Sequence, residues 1–235
     1  LALGIGATTS VFSVVYAVLR PLAYRDQNEL MVVNSTNLKR GLPQIGVSHP
    51  DFVDWKSQST SFEQLAAFRN ASFNLTGIGE PERLSGMFVS SNLFSLLGVE
   101  PQLGRSFVAE EDNPGSMSAI ISNHLWQTRF SSDPGVINKT VTLEGESFNI
   151  VGVMRKDFQF PPGEEDRRDV WVPLSLYPER QLQNRGRHFL TVMGRLKPNI
   201  TQSQAQGEMN TIATRLEQTY AQTNSGYGVR LISLY

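Results

Sequence analysis

The chain has 235 residues, 40% of them hydrophobic and 18% charged, with a formal net charge of −1. That length holds one large domain or two small ones with cores of their own. A balance so close to neutral argues against a nucleic-acid surface, which needs a basic stripe, and the absence of cysteine excludes a disulfide framework and a thiolate metal site.

The chain begins at Leu1, not at a methionine, and reads as a piece of something longer. Residues 1–19 carry no charge. As a helix they would span roughly 28 Å, close to the ~30 Å hydrocarbon core of a bilayer. Gly4 with Thr8, and Gly6 with Ser10, are small-xxx-small pairs that let helices approach closely in lipid. Arg20 suits the headgroup level and Pro21 cannot continue the helix. The sequence therefore predicts a transmembrane helix and its exit over residues 1–25, with Asp26 onward outside the cytoplasm. A signal peptide cut after Val15-Tyr16-Ala17 and a buried helix are the competing readings. The first of these lacks a basic leading region.

Beyond residue 25 no other run reaches bilayer length. Leu30-Met31-Val32-Val33 predicts a strand and the polar residues 34–46 a loop. Ser48-His49-Pro50-Asp51 predicts a helix start, with serine as cap and proline in the first turn. Thr60-Ser61-Phe62-Glu63 has capping-box spacing and predicts a second helix carrying Phe62, Leu65 and Ala66. Residues 68–75 and 83–89 predict strands joined by Thr76-Gly77-Ile78-Gly79. Residues 92–97 predict a short helix stopped by Gly98.

The middle third reads as β-rich. Ala119-Ile120-Ile121 is a strand, followed by a helix capped by Ser122 with Leu125, Trp126 and Phe130. Asp133-Pro134-Gly135 is a turn. Residues 140–143 and 147–153 form a hairpin around Glu144-Gly145-Glu146, and Val170-Trp171-Val172 is a further strand. The helix-and-strand rhythm then returns. Residues 189–196 predict a strand, and Thr201 to Gln204 is a capping box. The helix that follows sets Ala205, Met209, Ile212, Ala213, Leu216 and Tyr220 on one face. Gln206 and Gln218 lie off that face, where replacement should cost little. Residues 229–234 predict a last strand.

Motifs for chemistry are sparse. Gly4-Ile5-Gly6-Ala7-Thr8-Thr9 lacks the lysine of a phosphate loop. His49, His124 and His188 have no metal-ligand spacing and read as structural or solvated. Glu110-Glu111-Asp112 reads as an exposed turn, and the run Glu164-Glu165-Asp166-Arg167-Arg168-Asp169 as a solvated loop. Neither has the alternating carboxylates of a calcium loop, and no Gly-x-Ser-x-Gly elbow is present. Asn34, Asn70, Asn74, Asn138 and Asn199 begin Asn-x-Ser/Thr triplets, which matter only in a eukaryotic secretory setting.

Residues 1–19 with Arg20-Pro21-Leu22 resemble the first transmembrane helix of MacB-like ABC-type permeases, most closely orphan permeases common in acidobacteria. Residues 48–55, Phe62-Glu-Gln-Leu-Ala66, Gly79-Glu-Pro-Glu-Arg-Leu84, Phe94-Ser-Leu-Leu-Gly-Val99 and Leu103-Gly-Arg105 are similar to that family's periplasmic core domain. So are Leu125-Trp126, Asp133-Pro134, Gly152-Val153-Met154 and Val170-Trp-Val-Pro-Leu174. The matches run in order from residue 1 to about 217. Ala23 and Gln27 depart from it, standing where the family has proline.

The resemblance implies a mixed α+β fold: a porter-like lobe from residues 26–103 and 179–235, with a β-rich sabre-like lobe inserted at 104–178. It implies an inner-membrane subunit with its soluble part in the periplasm, transmitting motion in efflux or export. The partners it implies are membrane lipid, a separate ATPase subunit, a periplasmic adaptor protein and a second copy in a homodimer. No nucleic acid, cofactor, metal or catalytic residue is expected, and the chain is not expected to be an enzyme. The alternative is an FtsX-like transmembrane regulator of a periplasmic cell-wall hydrolase.

Overall fold

A computed structural model describes residues 24–161 and 167–234. The expected membrane helix, and Glu164-Glu165-Asp166 of the charged loop, lie outside the described residues. Among the described residues no helix is long and apolar enough to cross a membrane.

In chain order the elements are β1 (Leu30–Asn37), β2 (Leu42–Ile45), α1 (His49–Gln58), β3 (Phe62–Thr76), β4 (Glu82–Val89), α2 (Leu93–Leu97), β5 (Leu103–Gly104) and β6 (Ser118–Ile121). Then follow α3 (Asn123–Phe130), β7 (Thr140–Leu143), β8 (Glu146–Val153), β9 (Val170–Pro173), α4 (Glu179–Leu182), β10 (Thr191–Leu196), α5 (Gln202–Thr219), α6 (Ala221–Asn224) and β11 (Gly228–Ser233). The fold is mixed α+β.

Strands β11, β1, β10, β3 and β4 form an open antiparallel sheet. Beyond it the pairing closes on itself. β4 pairs β9 in parallel, β9 pairs β6, β6 pairs β8 in parallel, β8 pairs β7, and β7 returns to the far end of β3 at Leu75 and Thr76. Six strands thus make a closed barrel. β3 is long enough for both tasks: Phe62 to Phe68 pair β10, and Leu75 and Thr76 pair β7. Closure also leaves no free edge on the barrel.

Strand alternation sorts the core into three apolar clusters. Met31, Val33, Leu65, Ala67 and Val192 face α1 and α5. Leu30, Ala66, Phe68, Met87 and Met193 face α2, which adds Leu93, Phe94, Leu96 and Leu97. The barrel interior holds Phe73, Leu75, Leu84, Val141, Leu143, Ile150, Val170 and Val172. It is narrow: a Cβ on Gly86 would lie 2.7 Å from the Val170 carbonyl oxygen and Cγ1.

Several local signals act as expected. The Ser48 side chain accepts from the N–H of Asp51 at the start of α1. Thr201 and Gln204 form the capping box of α5. Gly98 ends α2 at φ 69°, where a Cβ would meet the Cβ of Arg25 at 2.5 Å.

The expected second helix is instead the start of β3. Glu63 is an extra residue there: Arg195 pairs Gln64 and Leu196 pairs Phe62. This bulge puts Phe62 and Leu65 on one side, so their spacing mimics a helix. The capping groups have another partner. The Glu208 carboxylate of α5 accepts from the N–H groups of Thr60 and Ser61 at 2.7 and 2.9 Å. Residues 34–46 are likewise not one loop. β1 runs on to Asn37 with Asn34, Ser35, Thr36 and Asn37 buried, and β2 pairs back onto it; polar side chains hid a buried strand.

Two helix assignments also change. Tyr220 is the C-cap of α5 and 38% exposed, not part of its apolar face. Gln206 is not an idle surface residue. Its amide accepts from Leu231 N–H at 2.8 Å and donates to the Val229 carbonyl at 2.9 Å. Gln202 donates to the Leu231 carbonyl at 3.0 Å.

Ile212 and Leu216 are buried on the sheet, so either to Ala is expected to destabilise the protein by about 2–5 kcal/mol in urea unfolding. Gln218→Ala, at an exposed site, should change it by under about 0.5 kcal/mol. Burial pushes the Glu208 carboxyl up, but hydrogen bonds from Ser61 and Thr60 outweigh it and hold the pKa down to about 2, against an ordinary 4.5. A depressed carboxylate stabilises above its unfolded value and loses that contribution as pH falls towards the folded one. Wild type should therefore lose stability relative to Glu208→Gln between pH 4.5 and 2, measured by urea midpoints across that range.

Candidate functional site

The leading segment, residues 24–29, is held to the body mainly through polar contacts converging on one buried cation. Arg195 of β10 has no exposed surface. Its Nε donates to the Leu96 carbonyl of α2 at 2.9 Å, and its two terminal nitrogens reach the carbonyls of Asp26 at 3.1 Å and Arg25 at 2.6 Å. The carboxylate of Glu29 completes the set at 3.2 Å. A guanidinium suits this role because its planar fork presents fixed donors and stays ionised when buried.

The surroundings reinforce that junction. Arg25 N–H donates to the Leu97 carbonyl at 3.0 Å, and its side chain meets Glu63 at 3.1 Å. That exposed pair adds little. Tyr24 donates its hydroxyl to the Gln159 carbonyl and packs edge-on to Phe160. The other end of the described chain arrives at the same place, where Leu234 N–H donates to the Leu30 carbonyl at 3.1 Å. The last described residue thus sits beside the start of β1, into which the leading segment runs.

Sequence reasoning passed over Arg195. The available signal was a lone charge inside the apolar run Leu190-Thr191-Val192-Met193-Gly194-Arg195-Leu196, at a position where alternation points it into the core.

A second polar knot lies at the start of α1. Buried Asp51 accepts from Ser48 Oγ, from Arg185 and from Asn224 at 2.7, 2.7 and 2.8 Å. Arg185 also meets Asp54 at 2.7 Å and lies over the Tyr220 ring at 3.7 Å. Burial lowers the Arg185 pKa, and the bonds to Asp54 and Asp51 more than reverse this. The knot borders an open cleft of about 720 Å³, with Phe52, Leu174 and Leu182 in its lining and Asp54, Lys56 and Glu179 among the polar groups.

The histidines are scattered. His49 is depressed chiefly by burial, opposed by the Leu182 carbonyl. His188 is also depressed by burial. Its Nδ1 donates to the Gly46 carbonyl at 3.1 Å and its ring stacks on Tyr227. His124 sits in the first turn of α3. Among the described residues no group of three or more acidic, histidine or cysteine residues could hold a metal. The acidic turn differs from expectation. Glu111 is buried, drawn in by Arg105 at 2.9 Å and the Val108 N–H at 2.7 Å. Burial raises its pKa, but these bonds and one from Ser118 bring it below the ordinary value. Asp112 accepts from Ser91 N–H and Oγ at 2.8 and 2.7 Å.

Over residues 1–212 the chain matches the family described as MacB-like periplasmic core domain. Among solved structures it is similar to a permease-protein domain from Porphyromonas gingivalis, with TM-score 0.68 and 14% identity over 92% of this chain and 93% of that one. It is similar to the periplasmic region of MacB from Actinobacillus actinomycetemcomitans, with TM-score 0.61 and 12% identity over 87% and 89%. The extracellular domain of the noncanonic ABC-type transporter YknZ from Gram-positive bacteria gives TM-score 0.60 and 15% identity over 86% and 99%. No curated protein matches.

Removing one side of a buried charged set leaves its partners unsatisfied. Arg195→Ala is expected to cost about 3–5 kcal/mol of stability. At temperatures where the variant is still folded, amide exchange across residues 24–29 should accelerate, with little change in α5. Exchange mass spectrometry reads both, and protection of 24–29 that survives the substitution would show that Arg195 does not hold it.

Proposed function

We propose, since the chain belongs to the MacB-like periplasmic core domain family, that it is the extracytoplasmic domain of an ABC-type permease subunit and that it carries motion from the membrane side to a partner in efflux or export. In this reading residues 1–19 are an inner-membrane helix, a separate ATPase subunit supplies the work, and the full-length protein is a homodimer meeting a periplasmic adaptor. The domain acts by displacement and is asked to make or break no bond.

The observation that carries the reading is the Arg195 junction. A helix that shifts at the membrane pulls first on residues 24–29. Those residues are bonded through one guanidinium to β10 and to α2 at once. β10 lies between β1 and β3, so a pull on it is shared with both, and β3 runs into the barrel. The adjacent positions of Leu30 and Leu234 support both ends continuing towards one membrane.

The same reading divides the domain into a lobe of residues 26–103 and 179–235 and an inserted lobe of 104–178. The apolar cluster beneath α5 lies almost wholly in the first lobe and supports the division, whereas the cluster around α2 joins both, with Phe94 and Met193 packed among Phe107, Ile120, Val151 and Trp171. β3 and β4 are shared between the two as continuous spars.

These 235 residues hold no cysteine, so once any cysteine elsewhere in the full-length protein is replaced, spin labels can be placed at Lys39→Cys, on the β1–β2 turn, and Glu146→Cys, on the barrel hairpin. In the full-length permease reconstituted with its ATPase subunit, the distance between the labels should differ between nucleotide-free and ATP-bound states. Arg195→Lys should abolish that difference, because an ammonium lacks the planar fork. An unchanged distance in the parent protein overturns the transmission of motion, and a change that persists in Arg195→Lys overturns this route for it.

A further inference from the structure

We infer that the domain carries a self-complementary surface through which two copies meet, the β1–β2 turn of each entering the cleft beside α1 of the other. This surface belongs to the homodimer proposed above and rests on that reading.

The first observation is where the exposed apolar side chains lie. Among the described residues the large apolar side chains left exposed are Leu38, Leu42, Val53, Val108 and Tyr220. Leu38, 73% exposed, stands on the β1–β2 turn, and Leu42 follows it at the start of β2. Val53 lies in the lining of the cleft. Tyr220 belongs to the same neighbourhood, its ring under Arg185. Turn and cleft adjoin. Asn37, at the start of the turn, donates to the Ser225 carbonyl at 3.2 Å. The next residue back, Asn224, donates to Asp51, and Asp51 holds the Arg185 that lines the cleft. Single exposed apolar residues need no explanation, but a cluster around one cleft marks an interaction surface.

The second observation is that local bonds fix the turn. The Asn37 side chain accepts from Arg40 N–H at 3.3 Å, and Gly41, at φ 70°, donates its N–H to the Leu38 carbonyl at 3.1 Å. A peg ordered in advance loses little entropy when it docks.

The third observation is charge. Residues 30–48 hold two cations, Lys39 and Arg40, and no carboxylate. Both cations are exposed. Glu217 lies beside the turn, where its carboxylate takes the Gly226 N–H at 2.7 Å. The cleft is lined by Phe52, Val53, Leu174 and Leu182, and its carboxylates are Asp54, Asp112 and Glu179. Asp54 is held by Arg185. Among the described residues Glu179 accepts from the Gln183 amide and Asp112 from Ser91, both neutral donors. Lys56 also lines the cleft, 5.9 Å from the Phe52 ring centroid. An apolar turn with two cations therefore meets an apolar cleft with two carboxylates that lack a cation, a pairing that fixes register.

Because turn and cleft adjoin on one copy, a two-fold axis between them brings each turn to the other's cleft at once and closes the dimer. The contact can be small. Two copies anchored in one membrane assembly face each other at high effective concentration.

The test uses the full-length permease in two differently tagged forms, with Leu42 replaced by p-benzoylphenylalanine. Under ultraviolet light a product of doubled mass is expected, its crosslinked peptides lying within His49–Gln58 or residues 174–183 of the second copy. Leu38→Ala should lower the yield about tenfold, as loss of a central apolar anchor does. Lys39→Glu/Arg40→Glu should lower it too, and adding Glu179→Lys should restore part of it. A product with lipid, with another protein or with a different part of the second copy overturns the surface, and so does a yield that Leu38→Ala leaves unchanged. If the tagged forms co-purify and Leu42 gives no product, the surface falls and the homodimer stands. If they do not co-purify, both fall.

Discussion

A fully buried guanidinium is an expensive object, and Arg195 shows what makes one tolerable. Desolvating a cation costs several kcal/mol unless every donor direction finds an acceptor. Here the acceptors are three backbone carbonyls and one carboxylate, and they come from two separate stretches of chain. The left-handed turn at Asp26, φ 39°, aims two successive carbonyls at the same cation. The loop before β1, the end of α2 and the middle of β10 consequently have one common solution. Displacing any of them leaves a charge unsatisfied in an apolar setting.

That constraint organises the architecture around it. Because β10 is pinned, β1 and β3 on either side of it have a fixed register, including the bulge at Glu63. β3 then carries this register through 15 residues into the barrel. The apolar clusters contribute most of the stabilisation, as they do in any domain. Non-directional burial, though, leaves geometry loosely specified. A polar set with defined directions fixes where the leading segment sits.

The sequence was most readable where short-range signals decide the outcome. Ser48, Thr201 with Gln204, Gly98 and Glu144-Gly145 are caps and turns whose chemistry acts within a few residues, and each is found in its expected role. It misled where a long-range partner overrides a local one. Thr60-Ser61 has the chemistry of a helix cap, but Glu208, far along the chain, takes its donors. Asn34 to Asn37 look like a loop because polar strand residues carry no hydrophobic alternation to read. The barrel was hidden for the same reason. Its parts are visible as hairpins and short apolar runs, but closure needs the Leu75–Leu143 pairing, which no local pattern announces. Arg195 lay between these cases: its position in an apolar strand was visible, its four acceptors were not.

The glutamines along α5 carry a consequence for how copies of this domain can meet. β11 is the outermost strand of the open sheet, and its outward groups at Val229 and Leu231 are taken by Gln202 and Gln206. The helix thus supplies the amide pattern of a neighbouring strand from its side chains. The remaining margins are small: β5 has two residues, and β2 has four with a proline among them. A crowded envelope in which many such domains stand close together is a setting where exposed strand edges zip into aggregates. The described residues offer neighbours almost nothing to zip onto, so two copies that associate through them do so face to face through side chains. Such contacts can loosen and reform without tearing a shared sheet.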